Sequence, residues 1–271
     1  MPNHCIFIAS YRKDFEWLIP CLTSIHRFAH GFMAPAVCVD RSEAEEAAEL
    51  CARFCPSARV VVKNGEGFMR AQIGMMEADL LVPDADVIYL VVSDCMFFAD
   101  FTPEMYCRDD KPVVLVNTWA FLSAADSPCM PWRRGIERVL GFTAHYEFMR
   151  RLPSIYPASI FAPMRAHVEA LHGKPFGEYI IEGNKARRDT SEANILGTFA
   201  WEKMPQTCFF LDVDNVEWVD GNPKGYPSAM VQFWSHGGMD RPTDACVRLP
   251  DGTETHGKTP RAIIDKVLGS I

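Results

Sequence analysis

Val87-Ile88-Tyr89-Leu90-Val91-Val92-Ser93-Asp94 is the stretch on which the fold of this chain turns. Six apolar residues in a row, with no polar residue alternating, predict a strand covered on both faces. A carboxylate then ends it. Working outward, His4–Ala9 (HCIFIA), Ala36–Val39 and Arg59–Val62 are further short apolar runs of strand length. Between them lie helical patterns. Leu18, Leu22, Ile25 and Ala29 share one helix face, and Pro20 requires that helix to begin near Trp17 or to kink. Ser42 is expected to cap a helix over 43–54 with an acidic first turn. A third helix is predicted over 69–81. Strands alternating with helices predict an α/β fold with a mostly parallel sheet.

After about residue 110 the pattern loosens. Trp119, Trp132, Pro128, Pro131, Pro153, Pro157 and Pro163 punctuate what reads as a loop-rich region. Helices are expected again over 162–171 and 191–201, strands over 207–213 and 229–234, and a last helix over Pro260–Leu268 with proline in its first turn. There is no internal repeat or linker, so residues 1–271 are expected to form one domain.

Composition narrows the classes. Of 271 residues 48% are hydrophobic and 23% charged, as in a globular enzyme. A net charge of −8 argues against a broad basic surface for nucleic acid. The apolar start at 5–9 is too short for a signal-peptide core, and the longest apolar run is too short to span a bilayer. The ten cysteines are scattered with no CxxC pair, which predicts free thiols in a reducing cytosol, Cys51 and Cys55 packing in the core.

In open sheets ligands bind beyond the carboxyl ends of the strands. Ser10, Tyr11, Asp14, Asp40, Ser93 and Asp94 fall there. A carboxylate at such a strand end can hold Mg²⁺ or Mn²⁺ bridging a diphosphate; Asp94 can equally cap the turn that follows. Glu192 follows Ser191, a helix N-cap candidate, and in the first turn the dipole is expected to lower its pKa. It is a candidate general base, or ordinary charge complementation of the helix start. His236, before Gly237 and Gly238, is a candidate metal ligand or a hydrogen-bonded structural residue. Trp201, Trp234 and Phe199 are assigned to the core in preference to a role as sugar platforms. The chain lacks GxGxxG after the first strand, GxxxxGK[ST] and GxSxG, which disfavours a dinucleotide fold, a P-loop enzyme and an elbow hydrolase.

In order along the chain, several segments resemble a family of GT-A-type glycosyltransferases common in bacteria and their phages. They are Ser10-Tyr11-Arg12-Lys13-Asp14, Ser24-Ile25, Asp40, Gly67-Phe68-Met69-Arg70-Ala71-Gln72-Ile73, Ser93-Asp94-Cys95-Met96-Phe97, Glu147 to Pro153, Ser191-Glu192 to Gly197, and Trp234-Ser235-His236-Gly237-Gly238. Val92 stands at the first carboxylate of the family's Asp-x-Asp, leaving Asp94 alone to carry the metal, and Ala71 stands at the first residue of its Gln-Gln pair.

The resemblance implies a cytoplasmic enzyme of a bacterium or a phage-infected host cell. Its donor would be a nucleotide diphosphate sugar, held with Mn²⁺ or Mg²⁺, with Ser10, Asp14, Asp40 and Gln72 near the nucleotide. A nucleotide-sugar-binding half over about 1–110 would precede an acceptor-side half over about 111–271. The acceptor would be a hydroxyl on a glycan or other small molecule, or a hydroxymethylated pyrimidine in DNA. For DNA, Arg133-Arg134, Arg150-Arg151 and Lys185-Arg187-Arg188 would supply local positive charge, and Trp119 or Trp132 could stack on an exposed base. A sugar nucleotidyltransferase and a catalytically silent nucleotide-sugar-binding protein are the alternatives of another class.

Overall fold

The structure, a computed structural model, describes every residue except 1, 65–67, 150–151, 184–189, 220–221, 228, 246 and 270–271. The strands in chain order are β1 (His4–Ala9), β2 (Ala36–Val39), β3 (Arg59–Val62), β4 (Val87–Val92), β5 (Cys95–Phe97), β6 (Cys107–Arg108), β7 (Lys111–Thr118), β8 (Tyr146–Glu147), β9 (Ser154–Pro157), β10 (Phe209–Asp212), β11 (Trp218–Val219), β12 (Asn222–Pro223) and β13 (Met230–Gln232). The helices are α1 (Phe15–Phe28), α2 (Ala44–Phe54), α3 (Phe68–Met76), α4 (Ala78–Leu81), α5 (Trp119–Ala124), α6 (Met130–Leu140), α7 (Phe161–His172), α8 (Phe176–Gly183), α9 (Glu192–Lys203) and α10 (Pro260–Leu268).

The central sheet has the order β3-β2-β1-β4-β9. β1 pairs parallel with β2, and β2 with β3, while β9 runs antiparallel to β4. This is an α/β fold with a mostly parallel sheet, as the alternating pattern predicts. Five of the six residues of β4 are buried, in keeping with its unbroken apolar run. Among the described residues no helix is long and apolar enough to cross a membrane.

The chain divides into two compact units. One comprises Ile6–Glu66, Val91–Tyr106 and Val216–Ile271. Here α1 begins at Phe15, directly after a 3₁₀ turn at Arg12–Asp14, so Pro20 lies inside the helix and not at its start. Lacking an N–H, Pro20 leaves the Glu16 carbonyl without its usual partner. Ser42 does not cap α2, whose N-cap Glu43 makes no side-chain cap bond; Asp40 instead caps the 3₁₀ turn at Arg41–Glu43 before it, its carboxylate accepting the Ser42 N–H at 2.8 Å and the Ser42 hydroxyl at 2.7 Å. Asp40 reaches forward to the N–H two residues on, as in an Asx turn, and Ser42 acts as donor. β5 pairs antiparallel with β13, Gln232 lying opposite Cys95. Trp17, Met96, Phe98, Val231, Phe233, Met239, Val247, Leu249, Ile263 and Ile264 form a buried cluster around this strand pair.

The other unit comprises Met1–Cys5, Gly67–Leu90 and Cys107–Asn215. The region expected to be loop-rich contains the eight-residue strand β7, with β10 parallel to it and β6 and β8 antiparallel, and also the helices α5 and α6. Pro131 lies in the first turn of α6, where a missing N–H is harmless. The helix expected over 69–81 is two helices, α3 and α4, broken at Glu77. Glu192 to Ala200, the first nine residues of α9, are all buried. A helix enclosed on every side is apolar all round, and the polar residues that it does carry must find partners.

Candidate functional site

The described candidates fall into two groups, one in each unit. The first is built where β4 gives way to β5. Asp94 occupies that junction and is 8% exposed. One carboxylate oxygen accepts the Ser235 N–H at 2.7 Å, the other the Gln232 side-chain amide at 3.3 Å, and the Asp94 carbonyl accepts the Phe233 N–H at 2.9 Å. β5–β13 pairing therefore delivers residues 232–235 to Asp94. Burial raises the Asp94 pKa, against the lowering effects of the Ser235 N–H, the Gln232 amide and His236.

Asp14, in the turn after β1, belongs to the same group. Its pKa is raised by burial first and by the negative charge of Asp94 second. Hydrogen bonds from the side chains of Tyr11, Ser235 and Ser93 oppose the rise. Burial makes both carboxylates reluctant to ionise, Asp14 further so through the negative charge of Asp94, and the two lie after neighbouring strands of the sheet. Ser10 is buried at the end of β1, and its hydroxyl has no hydrogen-bond partner among the described residues.

The structure thus gathers Tyr11, Asp14, Ser93, Asp94 and His236, and adds Gln232 and Ser235. His236 is exposed in a 3₁₀ turn and reaches Asp94 only through charge. Trp234, assigned to the core by its sequence, is 47% exposed and takes φ +63°. A bulky residue in that region costs about 1–3 kcal/mol and is held only by its surroundings.

Among the described residues no group of three or more His, Cys, Asp and Glu side chains is placed to hold a metal ion. Asp94 with Asp14 fits a narrower role. A hard cation such as Mg²⁺ commonly takes one or two carboxylates from the protein and completes its shell with phosphate oxygens and water. Both carboxylates retain lone pairs for that.

The second group surrounds the start of α9. Ser191 caps the helix, as its sequence predicts, its side chain accepting the Asn194 N–H. Asn194, fully buried, accepts the Phe148 N–H at 2.8 Å and donates to Ser191 at 3.0 Å and to Glu147 at 3.3 Å. The Tyr156 hydroxyl donates to the Ala193 carbonyl at 2.8 Å. This network fixes Glu192, 8% exposed, whose carboxylate accepts from the Gln72 amide at 3.2 Å. The Glu192 pKa is raised, contrary to the lowering expected from the helix dipole, because desolvation outweighs both its own backbone N–H and Gln72.

Gln72, expected near a nucleotide, donates to Glu192 and to the Thr190 carbonyl, and its own side-chain oxygen is buried with no partner among the described residues. Asp40, expected in the same role, is engaged as the cap of the turn after β2. Trp119 is 2% exposed and cannot stack on a base, and Arg133 pairs with Glu137 one turn along α6. Arg150-Arg151 and Lys185, Arg187 and Arg188 lie outside the described residues. None of the nine described cysteines forms a disulfide, and Cys51 and Cys55 are buried.

Gln232, Ser235 and the exposure of Trp234 were missed as site features. The Phe233-Trp234 step, two aromatic residues before Ser-His-Gly-Gly, was the available signal, since both cannot face one core from a strand. No family model matches the chain, and no curated protein matches its sequence.

Proposed function

We propose that the chain transfers a sugar from a nucleotide diphosphate sugar to an acceptor hydroxyl on a glycan or other small molecule, in the manner of a GT-A-type glycosyltransferase. The observation that carries this reading is the Asp14–Asp94 pair. A buried and a half-buried carboxylate after adjacent strands suit a diphosphate brought in with its cation. Asp94 and Asp14 would hold Mn²⁺ or Mg²⁺, which supplies Lewis-acid stabilisation of the departing nucleotide. Ser93 and Tyr11 orient Asp14, and Ser235 and Gln232 orient Asp94.

Glu192 is the proposed general base. Burial raises its pKa, which makes the carboxylate a stronger base towards a hydroxyl, and Gln72 holds that carboxylate. The reading is tested by incubating the chain with single nucleotide sugars and Mn²⁺ or Mg²⁺, and following the products with and without acceptors. Release of nucleoside diphosphate and sugar, lost in chelator and in Asp94→Asn, supports it. Pyrophosphate release would assign a nucleotidyltransferase, and silence across the panel a binding protein.

A further inference from the structure

We infer that Trp234 is a stacking platform for the sugar ring of the ligand, presented at the surface by Asp94. The inference deepens the transferase reading and rests on it. Three observations bear on Trp234. It is the one tryptophan among the large apolar residues exposed in the described chain, at 47%. The other described non-glycine residues with positive φ, Asp109, Asp110 and Asp126, are of a type that tolerates that region, and an indole is not.

The backbone on both sides is fastened to one residue. Asp94 takes the Phe233 N–H on its carbonyl at 2.9 Å and the Ser235 N–H on its carboxylate at 2.7 Å. Phe233 itself is buried against Trp17, so the chain cannot turn Trp234 inward without withdrawing Phe233.

An indole kept half in water by a strained backbone forgoes the burial that normally rewards it. Its neighbours say what it meets. A pyranose has an apolar C–H face, which an aromatic ring covers, and a rim of hydroxyls, which donate to carboxylates. Trp234 offers the ring, and Asp94, held beside it by the Ser235 N–H, offers acceptor lone pairs beyond those that the cation takes.

The test is calorimetric titration of the wild type, Trp234→Phe and Trp234→Ala with UDP-glucose and GDP-mannose, and with UDP and GDP alone, in Mn²⁺. The nucleotide sugar that binds the wild type should bind Trp234→Ala at least tenfold more weakly and Trp234→Phe within about threefold. Affinity for the corresponding nucleoside diphosphate should change less than twofold. Equal losses for sugar nucleotide and diphosphate would place the indole on the base or give it a structural role, and overturn the inference. Wild-type binding unaffected by Trp234→Ala overturns it and leaves the transferase reading standing. Failure of the wild type to bind any of the four removes both.

Discussion

The Asp94 carboxylate accepts the backbone N–H of Ser235 at 2.7 Å across 141 residues of sequence, and this bond ties the end of β4 to the turn after β13. One side chain thus carries charge for a ligand and fixes the loop beside it, so its two roles separate by substitution.

Asp94→Asn keeps an oxygen for the Ser235 N–H and removes the charge. It should fold with a melting temperature close to the wild type and fail in sugar transfer. Asp94→Ala leaves that N–H and the Gln232 amide without their acceptor, and should lose about 1–3 kcal/mol of stability in addition. Thermal and denaturant unfolding, set beside product formation, distinguish the two.

Glu192→Gln should lower turnover by roughly 10²-fold or more while leaving donor affinity nearly unchanged, the scale of lost acid–base catalysis. Single-turnover kinetics with donor titration measure both quantities. Turnover near the wild-type value would return Glu192 to a purely structural place at the start of α9.

Stability should depend on pH through the same carboxylates. Asp14, Asp94 and Glu192 all have raised folded-state pKa values, so between their unfolded and folded values the native state binds more protons than the unfolded chain. Their contribution is fully present below the ordinary carboxylate range and is lost as pH rises through the folded values. Glu192→Gln should therefore flatten the fall in denaturation midpoint over that window. A steeper fall in the variant would contradict the assignment.

Two packing sites lend themselves to direct measurement. A Cβ on Gly197 would lie 2.3 Å from Cγ of Phe148, so Gly197→Ala should destabilise by about 1–3 kcal/mol through overpacking. Arg165 is bidentate with Asp79 at 2.6 and 2.8 Å and also donates to the Met76 carbonyl, nearly shielded from water. Asp79→Ala would strand its charge and should cost about 3–5 kcal/mol. Urea unfolding of each variant gives the values.

What lies in the sequence alone is whatever neighbouring residues decide. β1, β2, β3, β4 and α10 have the bounds that the apolar runs predict, because burial on both faces of a strand, or on one face of a helix, leaves a local pattern. Asp94 was legible for the same reason, as a charge interrupting an apolar run. The strand β7 was hidden behind Lys111-Pro112, and α6 behind Pro131 and Gly135, since those residues act as breakers except at the positions that they occupy here. Local pattern has no access to what meets across the fold. Gln72 reaches Glu192 over 120 residues, and only the meeting of β5 with β13 brings Gln232 and Ser235 to Asp94. Tertiary packing also set the direction of the Glu192 pKa, because desolvation depends on everything that surrounds a carboxylate and the helix dipole only on its own helix. Trp234 is the clearest case: composition places tryptophan in a core, and hydrogen bonds from its two neighbours to one distant aspartate place this one in water.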